Sequence, residues 1–300
     1  MCFIFVGIDV SKNKFDICIK DENGEKLLKA RTYQQKKRDM DRLITDIRSL
    51  SDKCTPLLAM ESTGVYHRNL FHYLIDKGFK VRLYNPIEIC YLRQRRIRKT
   101  KTDKVDAEVI ADAVRLDHIE NNLKFNNDPD KLELKEYATS YHRIVEKISV
   151  LKLELRTALS ILCPGYDEVF DNITSATSIQ ILRKAIKHTK LFDISESELE
   201  RIFVDNNNRK HTRQTKINDV LESFSNSTCP THYKKPLVMN VKHILGQYEI
   251  LLEQRKQVEK NIKRAIDRMK PYAMTIPGIG YVTGATILGM LGDINRFDPL

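Results

Sequence analysis

Phe3-Ile4-Phe5-Val6-Gly7-Ile8-Asp9-Val10, then Phe15-Asp16-Ile17-Cys18-Ile19-Lys20, Asp21-Glu22-Asn23-Gly24 and Lys26 to Tyr33, is the stretch on which the fold turns. The first run is β-branched and aromatic and closes on an acid. The second alternates, and a tight polar turn joins it to the third, so these two form a hairpin. From Lys36 to Leu50 the pattern switches to helical spacing, with Met40, Leu43, Ile44 and Ile47 on one side. Pro56-Leu57-Leu58-Ala59-Met60-Glu61 is another short apolar run that ends on an acid. Tyr66 to Lys77 reads as a helix closed by Gly78, and Lys80 to Tyr84 as a strand stopped by Asn85-Pro86. The order β-β-β-α-β-α-β-α predicts a mixed α/β sheet with an antiparallel hairpin and parallel crossovers.

Strand signals stop after residue 110. Leu132 to Leu162 carries Ile144, Ile148, Leu151, Leu155, Leu159 and Leu162 at mainly three- and four-residue steps and ends at Pro164-Gly165, so it reads as one long helix. Residues 166–230 read as shorter helices with polar joints at Asn206-Asn207-Asn208 and Ser225-Asn226-Ser227. Pro236 to Lys270 repeats the long pattern with Leu237, Val241, Ile244, Leu245 and Tyr248. Two such helices suit an antiparallel coiled-coil pair or a dimer surface, and equally an ordinary helical bundle. In the tail, Thr275-Ile276-Pro277-Gly278-Ile279-Gly280 followed by Ala285, Ile287, Leu288 and Leu291 has the form of a helix-hairpin-helix. Its glycine turn offers backbone N–H groups to a phosphate, although such a turn also serves plain packing.

The 300 residues are 30% charged and 41% hydrophobic, enough for one or two cores. Lysine and arginine (51) outnumber the acids (40), giving a net charge of +11 and a pI near 9.2. That excess points to a polyanionic partner, nucleic acid first. No apolar stretch approaches the ~20 residues that span a bilayer, and the opening residues lack the basic region of a signal peptide, so no membrane role is expected. The cysteines (Cys2, Cys18, Cys54, Cys90, Cys163 and Cys229) are scattered without a C-x-x-C pair. A zinc ribbon or disulfide framework is therefore not expected, and all six read as reduced in a cytoplasmic protein.

Four acids stand out by position. Asp9 and Glu61 each end a strand, and Asp103 and Asp106 lie three apart in Lys101-Thr102-Asp103-Lys104-Val105-Asp106-Ala107. A helix running on to Leu116 would project that pair from one face. Gathered together, the four would repel one another unless Mg²⁺ or Mn²⁺, hard ions that take oxygen ligands, bound among them. Two such ions ~4 Å apart suit phosphodiester cleavage. Singly, each acid has an ordinary explanation as an Asx turn, a helix cap or an answer to the helix dipole. Glu61 resists that explanation best, because ending an apolar strand on a carboxylate costs desolvation. Just ahead of the acidic pair, Arg93, Arg95, Arg96, Arg98, Lys99 and Lys101 crowd into nine residues, with Lys104 beyond. Such a run neutralises phosphates, or simply forms a solvated face. Tyr66 and His67 can stack on or donate to a nucleic acid, or merely pack at a helix start. The histidines have no H-E-x-x-H spacing and there is no Walker A sequence, so neither a histidine-held metal nor ATP is expected.

Gly7-Ile8-Asp9-Val10-Ser11-Lys12, Glu61-Ser62-Thr63-Gly64-Val65-Tyr66, Tyr84-Asn85-Pro86 and the Asp103/Asp106 segment follow one another in an order and spacing that resembles the DEDD transposases of the IS110 insertion-sequence family, relatives of the Piv-type DNA invertases. Pro277-Gly278-Ile279-Gly280 and Gly292-Asp293-Ile294-Asn295-Arg296-Phe297 extend the likeness to the tail. The resemblance implies a RuvC-like (RNase H-type) domain over residues 1–165, a helical coiled-coil region over 166–270 and the start of a C-terminal transposase domain over 271–300. It implies a Mg²⁺ or Mn²⁺ site of Asp9 (the central bridging ligand), Glu61, Asp103 and Asp106. The cationic run, with Gly278 and Gly280, is expected to hold DNA or RNA. Family members recombine DNA as homo-oligomers, dimers or tetramers, under the guidance of a structured non-coding RNA. The family's nucleophilic serine is expected beyond Leu300, which leaves the C-terminal domain incomplete. The rival expectations are a RuvC-like junction nuclease and a truncated, catalytically inactive nucleic-acid-binding protein.

Overall fold

A computed structural model describes residues 2–51, 54–62, 64–94, 103–120, 123, 125, 128–187, 192–206 and 210–291, with the backbone alone at 29, 30, 93, 94, 103, 104, 210 and 211. Residues 1–132 and Glu133–Gly289 belong to separate compact units.

The first unit is a five-stranded mixed sheet: β1 (Cys2–Val10), β2 (Lys14–Lys20), β3 (Lys26–Gln34), β4 (Cys54–Glu61) and β5 (Lys80–Tyr84), in the spatial order β3-β2-β1-β4-β5. β1 runs antiparallel to β2 and parallel to β4. Helices α1 (Lys37–Leu50), α2 (His67–Asp76), α3 (Pro86–Gln94) and α4 (Asp103–Ile119) complete the unit. The near-continuous apolar run of β1 follows from burial on both sides of the sheet. Ile4, Val6 and Ile8 pack with Met40, Leu43 and Ile47 of α1 and with Leu70 and Leu74 of α2. Phe5 turns the other way, joining Leu57 and Ala59 of β4 to Ile89 of α3 and to Val109, Ile110, Ala113 and Val114 of α4. The architecture is that of an RNase H-like α/β domain followed by a helical region.

The second unit is helical. It is built on α5 (Pro129–Leu162) and α10 (Thr231–Met269), with α6 (Tyr166–Val169), α7 (Ala176–Ala185), α8 (Glu196–Asp205) and α9 (Lys210–Ser225) between them in sequence. A 3-10 turn (Tyr272–Thr275) and α11 (Tyr281–Leu291) follow. Ile148, Leu155 and Leu159 of α5 share a core with Val238, Val241 and Leu245 of α10 and with the short helices. Leu134 and Ala138, near the start of α5, pack instead with Ile262, Ala265 and Ile266, near the end of α10. The two long helices are therefore antiparallel. α10 begins five residues before Pro236, the expected start, and carries that proline inside its first two turns. Lys234 in the added segment lies over the Phe192 ring, 5.5 Å from its centroid, a tertiary contact that local propensity does not reveal.

The cysteine expectation needs one correction. Cys2 and Cys54 are register partners at the starts of β1 and β4, with Cα atoms 4.4 Å apart, and they are disulfide-bonded. They stand 52 residues apart in sequence, so only the strand pairing brings them together. No described helix is long and apolar enough to cross a membrane.

Candidate active site

Strand alternation decides where the acids go. Phe5, Gly7 and Asp9 share one face of β1, and their parallel partners Leu57 and Ala59 share it on β4. One step past the last paired residues, Ile8 and Met60, stand Asp9 and Glu61, side by side at the carboxyl ends of adjacent parallel strands. Phe5, Leu57 and Ala59 lie under α4, so the two acids occupy the face that this helix covers.

Gly7 brings the helix close. A Cβ built there would lie 2.1 Å from the Ala107 carbonyl oxygen and 2.2 Å from the Ala111 nitrogen, so α4 rests its backbone on this glycine. Asp106 immediately precedes Ala107 and is buried. Asp103 opens the same helix one turn earlier. Its side chain, like that of Lys104, lies outside the described residues. Three elements thus carry Asp9, Glu61 and Asp106 to one end of one face. Among the described residues no three acid, histidine or cysteine groups already form a metal-ligating cluster. Carboxylate oxygens, the donors that Asp9, Glu61 and Asp106 offer, are the kind that Mg²⁺ or Mn²⁺ prefers.

The surroundings hold that edge in place. Ser62 donates through both its backbone N–H and its hydroxyl to the Tyr84 carbonyl, at 2.9 and 3.0 Å. Tyr84, the register partner of Glu61, donates its phenol to Asp117 at 2.6 Å. Burial and then that bond push the phenol pKa upward. The Gln35 amide donates to the carbonyls of Ser11 and Tyr66, tying together the loops that follow β1 and β4.

Two buried polar residues escaped the sequence reading. Asp16, on β2, is the register partner of Asp9 and is 2% exposed. It accepts a hydrogen bond from Thr32 and lies 3.6 Å from the Lys14 ammonium. Lys20, two pairs further along the same face, is ion-paired to Glu108 and Asp112 of α4. The signal was there, since Asp16, Cys18 and Lys20 alternate with Phe15, Ile17 and Ile19, so one face of an otherwise apolar strand is polar.

The cationic run falls outside the described residues: nothing is described of Arg95, Arg96, Arg98, Lys99 and Lys101, and only the backbone of Arg93. Gly278 sits in the turn before α11 with φ +88°, a left-handed conformation that favours glycine. No heavy atom lies within 4 Å of a Cβ built at Gly278 or Gly280, so this turn is open. Beside it, Asp267, Lys270, Gly280 and Tyr281 line a cavity of about 490 Å³.

The family model for DEDD transposases of the IS110 type matches residues 6–164, more than half of the chain. A second, for the IS116/IS110/IS902 transposase family, matches residues 271–299. The chain belongs to this transposase family. Over 172 residues it is 33% identical to the pilin gene-inverting protein of Moraxella lacunata and equally to that of Moraxella bovis, covering 56% of this chain and 50% of each relative. The match therefore spans about half the length of these relatives.

Proposed function

We propose that this protein is a DNA transposase or site-specific recombinase whose first unit is a RuvC-like domain. What supports the reading is one observation above the rest: Asp9 and Glu61 end adjacent parallel strands on the face covered by the helix that carries Asp103 and Asp106. These four residues would hold Mg²⁺ or Mn²⁺, which when bound as a pair activates an attacking oxygen and stabilises the leaving oxygen of a phosphodiester. Asp9, central among the three elements, would bridge. Arg93, Arg95, Arg96, Arg98, Lys99, Lys101 and Lys104, with the open turn at Gly278 and Gly280, would neutralise the phosphates of DNA or of a structured guide RNA. The helical unit, with α5 and α10 as an antiparallel coiled coil, would join copies of the chain into a dimer or tetramer, working in the cytoplasm where the DNA lies. The tail would form a helix-hairpin-helix.

The test is incubation of the purified chain with Mg²⁺ and either DNA carrying insertion-sequence ends or a four-way junction. Cleavage of element ends that disappears in Asp9→Ala, with thermal unfolding unchanged, is expected. Junction cutting alone would make the protein a resolvase-like nuclease. An Asp9→Ala variant indistinguishable from wild type in both assays would remove the catalytic reading and leave a nucleic-acid-binding protein.

A further inference from the structure

The two long helices carry charge differently. Along α5, six cations are matched by five acids. From Lys256 to Lys270, over the last turns of α10 and its cap, there are six cations and two acids. Of these, Glu259 is paired with Arg255 and Arg268 with Glu133. That leaves Lys256, Lys260, Lys263, Arg264 and Lys270 against Asp267. All five cations are exposed, and among the described residues none has a carboxylate within ion-pairing distance. Lys256, Lys260, Lys263, Asp267 and Lys270 recur at steps of four and three, so they share one face of the helix, with Arg264 beside it.

The fold does not account for this ridge. Like charges three and four residues apart weaken a helix rather than support it. The helix dipole explains cations in the last turn, as at Arg268 and Lys270, but its reach ends before Lys256, Lys260 and Lys263. The ridge also leads somewhere. The Lys263 ammonium lies over the Tyr281 ring, 5.4 Å from its centroid, at the start of α11. Lys270 lines one cavity with Gly280 and Tyr281, beside the open glycine turn. From Lys256 to Lys270 the helix rises about 21 Å. That length runs alongside about twelve phosphates of a duplex, which carries one charge per ~1.7 Å. A single strand is gripped instead by aromatic rings on which its bases stack, and residues 255–270 contain none.

We propose that this face of α10, with Lys256, Lys260, Lys263, Arg264 and Lys270, docks the phosphate backbone of duplex DNA and is continuous with the glycine turn. The contact is to charge, so it positions DNA without reading its sequence. The choice of DNA rests on the transposase reading above, and the experiment separates the two. The full chain, without metal, is titrated into a labelled DNA duplex of mixed sequence, and anisotropy is read at several salt concentrations. Lys256→Gln/Lys260→Gln/Lys263→Gln/Lys270→Gln should melt about as wild type does, yet flatten the plot of log affinity against log salt by about 3–4. Lys147→Gln/Lys152→Gln/Lys235→Gln/Lys242→Gln loses the same net charge elsewhere on the helical unit and should change that slope by less than about 1. Should the ridge variant fail to fold, Lys256→Gln/Lys260→Gln alone should flatten the slope by about 2. A wild-type slope in the ridge variants overturns the assignment, as does an equal loss in the control, which would make net charge the whole cause. Unchanged DNA binding with weakened binding of an RNA duplex overturns it in favour of RNA. A wild-type chain that binds no DNA duplex at all would sink the transposase reading itself, and the ridge with it.

Discussion

Gly7 has no room for a side chain, because what stands 2.1 and 2.2 Å from its missing Cβ is helix backbone, which cannot rotate aside. Gly7→Ala should lift α4 from the sheet and cost about 1–3 kcal/mol in urea unfolding, the usual range for overpacking. Two buried groups contribute to the alkaline limit. Burial, with the bond to Asp46, pushes the Tyr33 phenol from its ordinary 10.0 up to about 12. Burial alone is the main cause that lifts the Cys163 thiol from 9.0 to about 12. In both, the folded state keeps its proton while the unfolded chain loses it. Their stabilising effect is thus complete below the unfolded values and lost as pH rises from about 9–10 toward 12. Denaturant melts should show stability falling across that window, less steeply in Tyr33→Phe. Alkylation of the native protein at pH 8 should mark exposed Cys90 and spare Cys163 until the chain unfolds.

Along a single helix the sequence pattern already separates what matters from what does not. In α5, Leu155 is 1% exposed and Leu153 is 65% exposed. Leu155→Ala should cost about 2–5 kcal/mol by leaving a cavity, and Leu153→Ala within about 0.5 kcal/mol, both read from chemical denaturation. All five strands and the long helices were legible because periods of two and of about 3.6 are imposed by burial on one or both faces. Asp9, Glu61 and the Asp103/Asp106 pair stood out as candidates for a related reason, since Asp9 and Glu61 each close a strand and Asp103 opens a helix. What a period does not carry is pairing between distant elements. The bond between Cys2 and Cys54, the adjacency of Asp16 to Asp9 and the ion pairs of Lys20 with α4 all depend on which element lies beside which and in what register. The bond closes a loop of 52 residues, worth about 4 kcal/mol by chain entropy. Cys54→Ser should melt earlier than wild type under oxidising conditions, and added reductant should erase the difference.

Taken whole, the chain carries a net charge of +11 that short-range contacts do not use up. If the six cations of the 93–101 run meet phosphates, binding to nucleic acid should weaken about a thousandfold between 50 and 200 mM salt in an anisotropy titration. A flat response would assign that run to the solvent. The family was legible from four short motifs, and α5 packs along its length with α10. That packing has a further consequence. Leu134 and Ala138, at the outset of α5, touch the same cluster as Ile262 and Ile266, at the close of α10. The long excursion of the backbone therefore departs and comes home at one spot. Matched turns can be added to or trimmed from its two legs while the cluster in which they meet stays as it is.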